Sequence, residues 1–347
     1  MQLKQFAEKL GIKFKGPDDY EITRLRDLEH LAEDAAPEEN QLYFVEKKKN
    51  LKNHPRITEK GVVLTVESLA DKFQTALIAP DKDVRLAFIE VLKHFDASPK
   101  FEDGVSDDPR IHPSAKIAAS AAVLPGAVVM EGAIVGENCR LYPGVVIEPF
   151  AEIQEGTTLY PNVVIGYRCV IGKRNTIHGG TVIGADGFGF HDQEGKRYKL
   201  PQIGNVVIED DVEIGASCTV DRATIETTRI GTQTKIDDQV HVGHNCRVGR
   251  FVYLVGNTAV GGSVDIGDGA MISGMVIVNP QTKIGAGSIV MGLSGVAKDT
   301  EPGKMYFGTP ARPAKEMHRM NASLAKLPEM MTRFRELEQK LSDPVSS

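Results

Sequence analysis

Tryptophan is absent from these 347 residues, and aromatic side chains make up only 6% of them. The interior therefore has to be filled by aliphatic and small side chains. Positive charge is short as well: 41 Lys and Arg stand against 47 Asp and Glu, for a net charge of -6. That balance gives no footing to a nucleic-acid binder, which needs a basic surface. No apolar run approaches the ~18 residues that cross a bilayer. Met1 to Leu10 alternates charged with apolar residues and has no signal-peptide core. These absences lead to the expectation of a cytoplasmic protein with no transmembrane segment and no nucleic-acid partner. Cysteines number four, with no CxxC spacing between any of them. A P-loop, a Rossmann glycine fingerprint and a nucleophile elbow are missing too.

Glycine is what the chain has in quantity, 34 residues of it, which suits a fold with many tight turns. Residues 1 to about 100 mix patterns. Leu3 to Leu10 and Val84 to Phe95 read as helices, Gln41 to Val45 and Gly61 to Val66 as strands. Residues 97 to 110, with Pro99, Gly104 and Pro109, have the composition of a linker.

From Ile111 an aliphatic residue recurs every six positions through Ile183, always Ile, Val or Leu. The phase breaks, resumes at Ile208, Ile214 and Val220, breaks again, and then holds from Ile230 to Val290. Four positions after each aliphatic the residue is almost always small, as at Ala121, Ala133, Thr157, Thr181, Thr258 and Ser288. This pattern predicts a parallel β-helix whose turns are triangles of three short strands, stabilised by stacking on neighbouring turns. Cys139, Cys169, Cys218 and Cys246 all fall on the small-residue offset and read as buried fillers. The breaks in phase are insertions, a long one over Gly184 to Val207 and a short one within Asp221 to Arg229. The expected domains are an α/β domain over 1–100, a β-helix over 111–310 and a helical extension over 311–347. In the last, Pro328 is expected to open a second helix.

One histidine stands in a revealing place. His244 lies two positions after the aliphatic Val242, an offset that points out of the helix. An outward imidazole there suits removal of a proton from an amine or hydroxyl. The same offset suits an interface residue, or a metal ligand together with His241 or His178. One turn is eighteen residues, so Gly262 is expected one strand spacing from His244. Its bare backbone could offer an N–H to a developing oxyanion, or it could simply be a corner glycine. A third candidate feature is a charge reversal. From Arg312 to Leu327 the basic residues Arg312, Lys315, Arg319 and Lys326 face Glu316 as the only acid, the pattern of a dock for an acidic partner.

Ile183-Gly184-Ala185-Asp186-Gly187-Phe188-Gly189-Phe190, Pro201-Gln202-Ile203-Gly204, Val220-Asp221-Arg222, Ile236-Asp237, His244-Asn245 and Glu301-Pro302-Gly303 together resemble the UDP-3-O-acylglucosamine N-acyltransferase family of lipid A biosynthesis. The resemblance runs over nearly the whole chain. It implies a left-handed β-helix that forms a homotrimer with active sites between subunits. It also implies transfer of a (R)-3-hydroxyacyl group from acyl carrier protein to the 2-amino group of a UDP-sugar acceptor. The family's general base falls on His244 and its oxyanion-hole glycine on Gly262. Substrate contacts are implied at Phe44, Asp237, Asn245 and Gln281, and the acidic partner expected at Lys315 and Arg319 becomes the acyl carrier protein. No metal, cofactor or acyl-enzyme is implied. Two positions depart from the pattern: Lys47-Lys48-Lys49-Asn50 replaces an Asn-Pro-Lys-Tyr stretch, and Gln281 replaces a family histidine. Two other readings stand beside this one. An O-acyltransferase acting on UDP-N-acetylglucosamine would lack the separate N-terminal domain and the long insertion, and a non-catalytic β-helix would leave His244 without a task.

Overall fold

A computed structural model describes residues 1–26, 28, 35–95, 104–105, 110–193 and 195–342. The chain divides into two compact units, Met1–Lys100 and Phe101–Ser347. Most of the expected linker over 97–110, with Pro99 and Pro109, lies outside the described residues.

In the first unit a five-stranded sheet runs in the order Lys13–Lys15, Ala76–Ala79, Val62–Val66, Gln41–Val45, Arg24–Leu25. All pairs are parallel except that of Lys13–Lys15 with Ala76–Ala79. Every residue of Val62–Val66 is buried, as a parallel strand covered on both faces requires. Helix Leu3–Leu10 buries Leu3, Phe6 and Ala7 and stops at Gly11, whose φ of 64° closes the last turn. Helix Val84–Phe95 buries Val84, Ala87 and Val91.

The second unit is a parallel β-solenoid whose two-residue strands line up in three sheets of nine, twelve and nine strands. The register is the repeat made visible: Leu141 pairs with Val123 and Leu159, and Val242 with Val220 and Val260. From Val123 to Val290 the periodic aliphatics are buried and form one continuous core. The residue four places on is buried too, and in several coils its side chain donates a hydrogen to a backbone carbonyl. Thr157, Thr234 and Thr258 donate their hydroxyls to Gly172 O, Gly249 O and Ser273 O. Cys139 and Cys246 donate their thiols in the same way, to Gln154 O and Gly261 O. Cysteine here is a compact donor that replaces threonine. All four thiols are free and buried, and burial pushes that of Cys246 up to about 11.

The outward strand positions separate the faces. On one face the charged Lys116, Glu152, Arg229, Arg247, Asp265 and Lys283 share the outward row with Ile134, Val170 and Val207. On another, Val128, Val146, Val164 and Val182 stack in register and are half-buried. The third carries Tyr253, Met271 and Met305 exposed.

The long insertion is a hairpin. Phe190–Gln193 pairs antiparallel with Lys196–Lys199, and Phe188, Tyr198, Leu200 and Ile203 stand exposed around it. At the C-terminal end of the unit the expected pair of helices is corrected to one, Ala314–Ser342, which continues through Pro328. Proline removes one N–H and leaves the carbonyl of Leu324 without its usual partner; with Leu324 itself 60% exposed, water can serve that carbonyl. Met317 packs on Gly308, whereas Met320, Leu324, Leu327, Met331 and Phe334 are exposed.

Candidate functional site

His244 sits in the turn that follows strand His241–Val242, half-buried. Two glycines make room for its ring. A Cβ on Gly262, one turn further along, would lie 2.6 Å from Nε2 and 2.8 Å from Cε1. A Cβ on Gly187, in the long insertion, would lie 2.6 Å from the Cβ of His244 and 2.8 Å from its Cγ and Cδ2. The imidazole is thus held between the next coil and the root of the insertion, with Nε2 toward Gly262.

The Gly262 N–H stands outside the β ladder, because Gly261 N donates to Val278 O and Ser263 N to His244 O. At the same offset in several other coils the amide points outward and is collected by a carboxylate. Ala216 N donates to Asp238, Gly256 N to Asp237 and Arg250 N to Asp268. At Gly262 no side chain does this among the described residues. An outward N–H next to an imidazole nitrogen is thereby open to a ligand.

Asn245 and Gln281 join this corner. They occupy one turn position of the solenoid, with φ of 60° and 62°, and Gln281 N donates to Gly262 O at 3.0 Å. Asparagine tolerates the left-handed backbone there. Its side chain turns back to His244, Nδ2 lying 2.9 Å from Nδ1.

Two further residues at this corner carry no signal in the hexapeptide pattern. Asp221 is 8% exposed, its Oδ2 is 3.8 Å from His241 Nε2, and burial raises its carboxyl above the usual range. Arg222, 1% exposed, donates to Gly184 O, Gly204 O and Tyr167 O, and its guanidinium lies 3.5 Å from the centre of the Tyr167 ring. One side chain therefore ties down both roots of the insertion that covers His244. Val220-Asp221-Arg222 marks these positions in the sequence, but only as part of a motif.

The remaining candidates lie elsewhere. Asp237 follows strand Lys235–Ile236 on a different face and lines a groove with His178, Glu213, Asp238 and Tyr253. Its Oδ2 accepts from Gly256 N and its Oδ1 from Asp238 N. Beside that groove Tyr142, Tyr160 and His178 stack at 4.9 Å steps. Phe44, in the first unit, stacks on Phe88 with ring centres 4.3 Å apart. With Leu25, Arg26, Lys47 and Asn50 it lines a cavity of about 570 Å³. Lys47 and Asn50, which depart from the family stretch, are therefore pocket residues. Lys315 and Arg319 are exposed and form no ion pair among the described residues, whereas Arg312 is tied to Glu316 at 3.2 Å.

Comparison with known proteins gives this geometry a setting. The bacterial transferase hexapeptide family (six repeats) matches residues 150–185, and the GMPPB C-terminal domain family matches residues 201–299. UDP-3-O-acylglucosamine N-acyltransferase 2 of Sulfurimonas denitrificans is 41% identical over 146 residues, 42% of this chain and 46% of that protein. The UDP-3-O-acylglucosamine N-acyltransferase of Methylorubrum extorquens is 39% identical over 147 residues, 42% of each chain. The match thus spans less than half the length of these two relatives. A solved UDP-N-acetylglucosamine acyltransferase from Campylobacter jejuni aligns over 58% of this chain and 73% of its own, at 23% identity and a TM-score of 0.45. The UDP-3-O-acylglucosamine N-acyltransferase of Pseudomonas syringae pv. tomato is 34% identical over 98% of this chain and 95% of its own. With a relative that similar from end to end, the chain belongs to the UDP-3-O-acylglucosamine N-acyltransferase family.

Proposed function

We propose that the protein transfers a (R)-3-hydroxyacyl group from the thioester of an acyl carrier protein to the 2-amino group of a UDP-3-O-acylglucosamine, a step of lipid A synthesis in the cytoplasm. The observation that carries this reading is the placing of His244 Nε2 against Gly262, whose N–H is left over by the ladder.

In this reading the amine attacks the thioester carbonyl. A C–N bond forms, and the carbonyl oxygen takes up negative charge that the Gly262 N–H stabilises. As the C–N bond forms the amine nitrogen becomes acidic, and Nε2 of His244 takes one of its protons. Collapse breaks the C–S bond, and the imidazolium returns that proton to the departing thiolate. The step needs no metal or cofactor. The four buried thiols are poor nucleophiles, which favours direct transfer over an acyl-enzyme.

The first unit would serve as the nucleotide-sugar-binding domain, with Phe44 offering a flat apolar face to the base. The solenoid over 111–310 would carry the chemistry. Asn245 and Gln281 would contact the acceptor beside His244. Within one chain Asp237 lies on another face, so its substrate contact calls for a second copy. A homotrimer meets that need. The stacked valines, the exposed hairpin and the uncovered apolar positions of Ala314–Ser342 are the surfaces such an assembly would bury. Lys315 and Arg319 would receive the acidic carrier.

His244→Ala tests the assignment. Turnover should fall by ~10²–10⁴-fold with an unchanged circular-dichroism spectrum, and His241→Ala should be much milder. Near-normal turnover in His244→Ala would remove the proposal.

A further inference from the structure

Gln202 is out of character for its surroundings. Its neighbours Leu200 and Ile203 are 46% and 61% exposed, yet Gln202 is 3% exposed. Both of its polar atoms are used: Nε2 donates to Leu200 O, and Oε1 accepts from Thr224 Oγ1, each at 3.0 Å. Thr224 belongs to the short insertion, and its backbone N–H donates to Asn245 Oδ1 at 2.9 Å. A backbone N–H can only donate, so the amide oxygen of Asn245 must face the Thr224 N–H; its NH₂ reaches the Thr224 hydroxyl at 3.4 Å and extends toward His244. That NH₂ lies 2.9 Å from His244 Nδ1. It too can only donate, so Nδ1 is an acceptor. A neutral imidazole that accepts at Nδ1 carries its proton on Nε2. Nε2 is the nitrogen beside Gly262, whose lone pair a general base needs.

We propose that Asn245 is a positioning residue that selects which nitrogen of His244 bears the proton, and that the contact of Gln202 with Thr224 holds the Nε2–H setting until the acceptor binds. The inference rests on the general-base reading of His244. The imidazole has little freedom to turn over, because Gly187 and Gly262 crowd opposite ends of it. The Asn245 amide can turn about its own last bond while its backbone N–H stays on Thr228 Oγ1 at 2.9 Å. Once turned, Oδ1 accepts from Nδ1–H; Nε2 gives its proton to water and Nδ1 takes one from water, so the ring stays neutral. What is given up is the Thr224 N–H bond to Oδ1 and the Nδ2 bond to Thr224 Oγ1. The charged groups about this corner are Asp221, His241, Arg222 and Asp186, the last ion-paired to Lys199 and 3.9 Å from Arg222 Nε. Among the described residues the Asn245 amide is the group that meets a ring nitrogen of His244 in a hydrogen bond. The long insertion, through Gln202 and Thr224, thereby controls when His244 becomes a base.

The test is ¹⁵N spectroscopy of the full-length protein with labelled histidine, the His244 signals being identified by their loss in His244→Gln. At pH 8 the wild type should show a protonated Nε2 and a bare Nδ1. Asn245→Asp presents a carboxylate that accepts from both Thr224 N–H and Nδ1–H, so the proton should move to Nδ1. In the rate profile of that variant the acid limb should shift to higher pH. Thr224→Val, which keeps the backbone N–H and loses only the hydroxyl, should show both tautomers. A wild-type ring protonated at Nδ1, or an Asn245→Asp ring still protonated at Nε2, overturns the proposal. Failure of the general-base reading would appear separately, as retained turnover in His244→Ala.

Discussion

The Nε2 atom of His244 lies 2.6 Å from the point where a side chain on Gly262 would begin. Gly262 has no positive φ to protect, so space alone forbids a substituent. Gly262→Ala would press on the Nε2 end of the imidazole and displace the ring from its place beside Gly187, while the backbone can stay as it is. Turnover should drop on the order of 10²-fold, the usual result of a 1 Å misplacement, with a melting temperature close to wild type. Gly187→Ala would meet the Cβ of His244, which cannot swing, so the insertion has to lift. That variant should lose activity and expose the insertion to proteolysis. Full activity in either would mean that the ring is not held as described.

The Asp221 carboxyl supplies a pH test. Burial raises its folded pKa above the unfolded value, so the folded state binds the proton more tightly. Stability from this group is present below the ordinary Asp range and is lost as pH rises through the raised value. Asp221→Asn removes that loss. The variant should melt higher than wild type at pH 7, and the gain should vanish near pH 3, as read by calorimetry at the two values. A variant less stable at pH 7 would show that the contact with His241, 3.8 Å away, outweighs desolvation.

Val146 pairs with Val128 and Val164 on the outward side of one solenoid face. If that face is covered by a second copy, Val146→Asp would place a charge where water is excluded. Light scattering should then change from trimer to monomer, and activity should fall with it. A wild-type protein that is monomeric and active at working concentration would rule the assembly out.

On the C-terminal helix, Lys315 and Arg319 are exposed and unpaired among the described residues. Reversing both to Glu should raise the KM for the acyl carrier protein and leave binding of the sugar nucleotide unchanged. The wild-type KM should climb with salt, since exposed charges are screened within ~8–10 Å. An unchanged carrier KM in the double variant would move the dock elsewhere.

The repeat and its consequences were legible from residue spacing. A six-residue period sends each aliphatic inward, and an eighteen-residue turn converts sequence distance into a strand spacing. The eighteen-residue spacing therefore sets His244 beside Gly262, and the six-residue period sends the cysteines to the interior. The insertions follow no period, so where they come to rest is decided by packing alone. Nothing in the order of residues places Gly187 on the His244 ring, ties both ends of the loop to Arg222, or turns the oxygen of Asn245 toward Thr224. Pro328 reads as a helix start, yet the helix passes through it because one missing N–H costs less than breaking the remaining ladder. Local period determined the scaffold and the wall on which the imidazole stands; only the tertiary contacts of aperiodic segments decided how that imidazole is held and which nitrogen carries its proton.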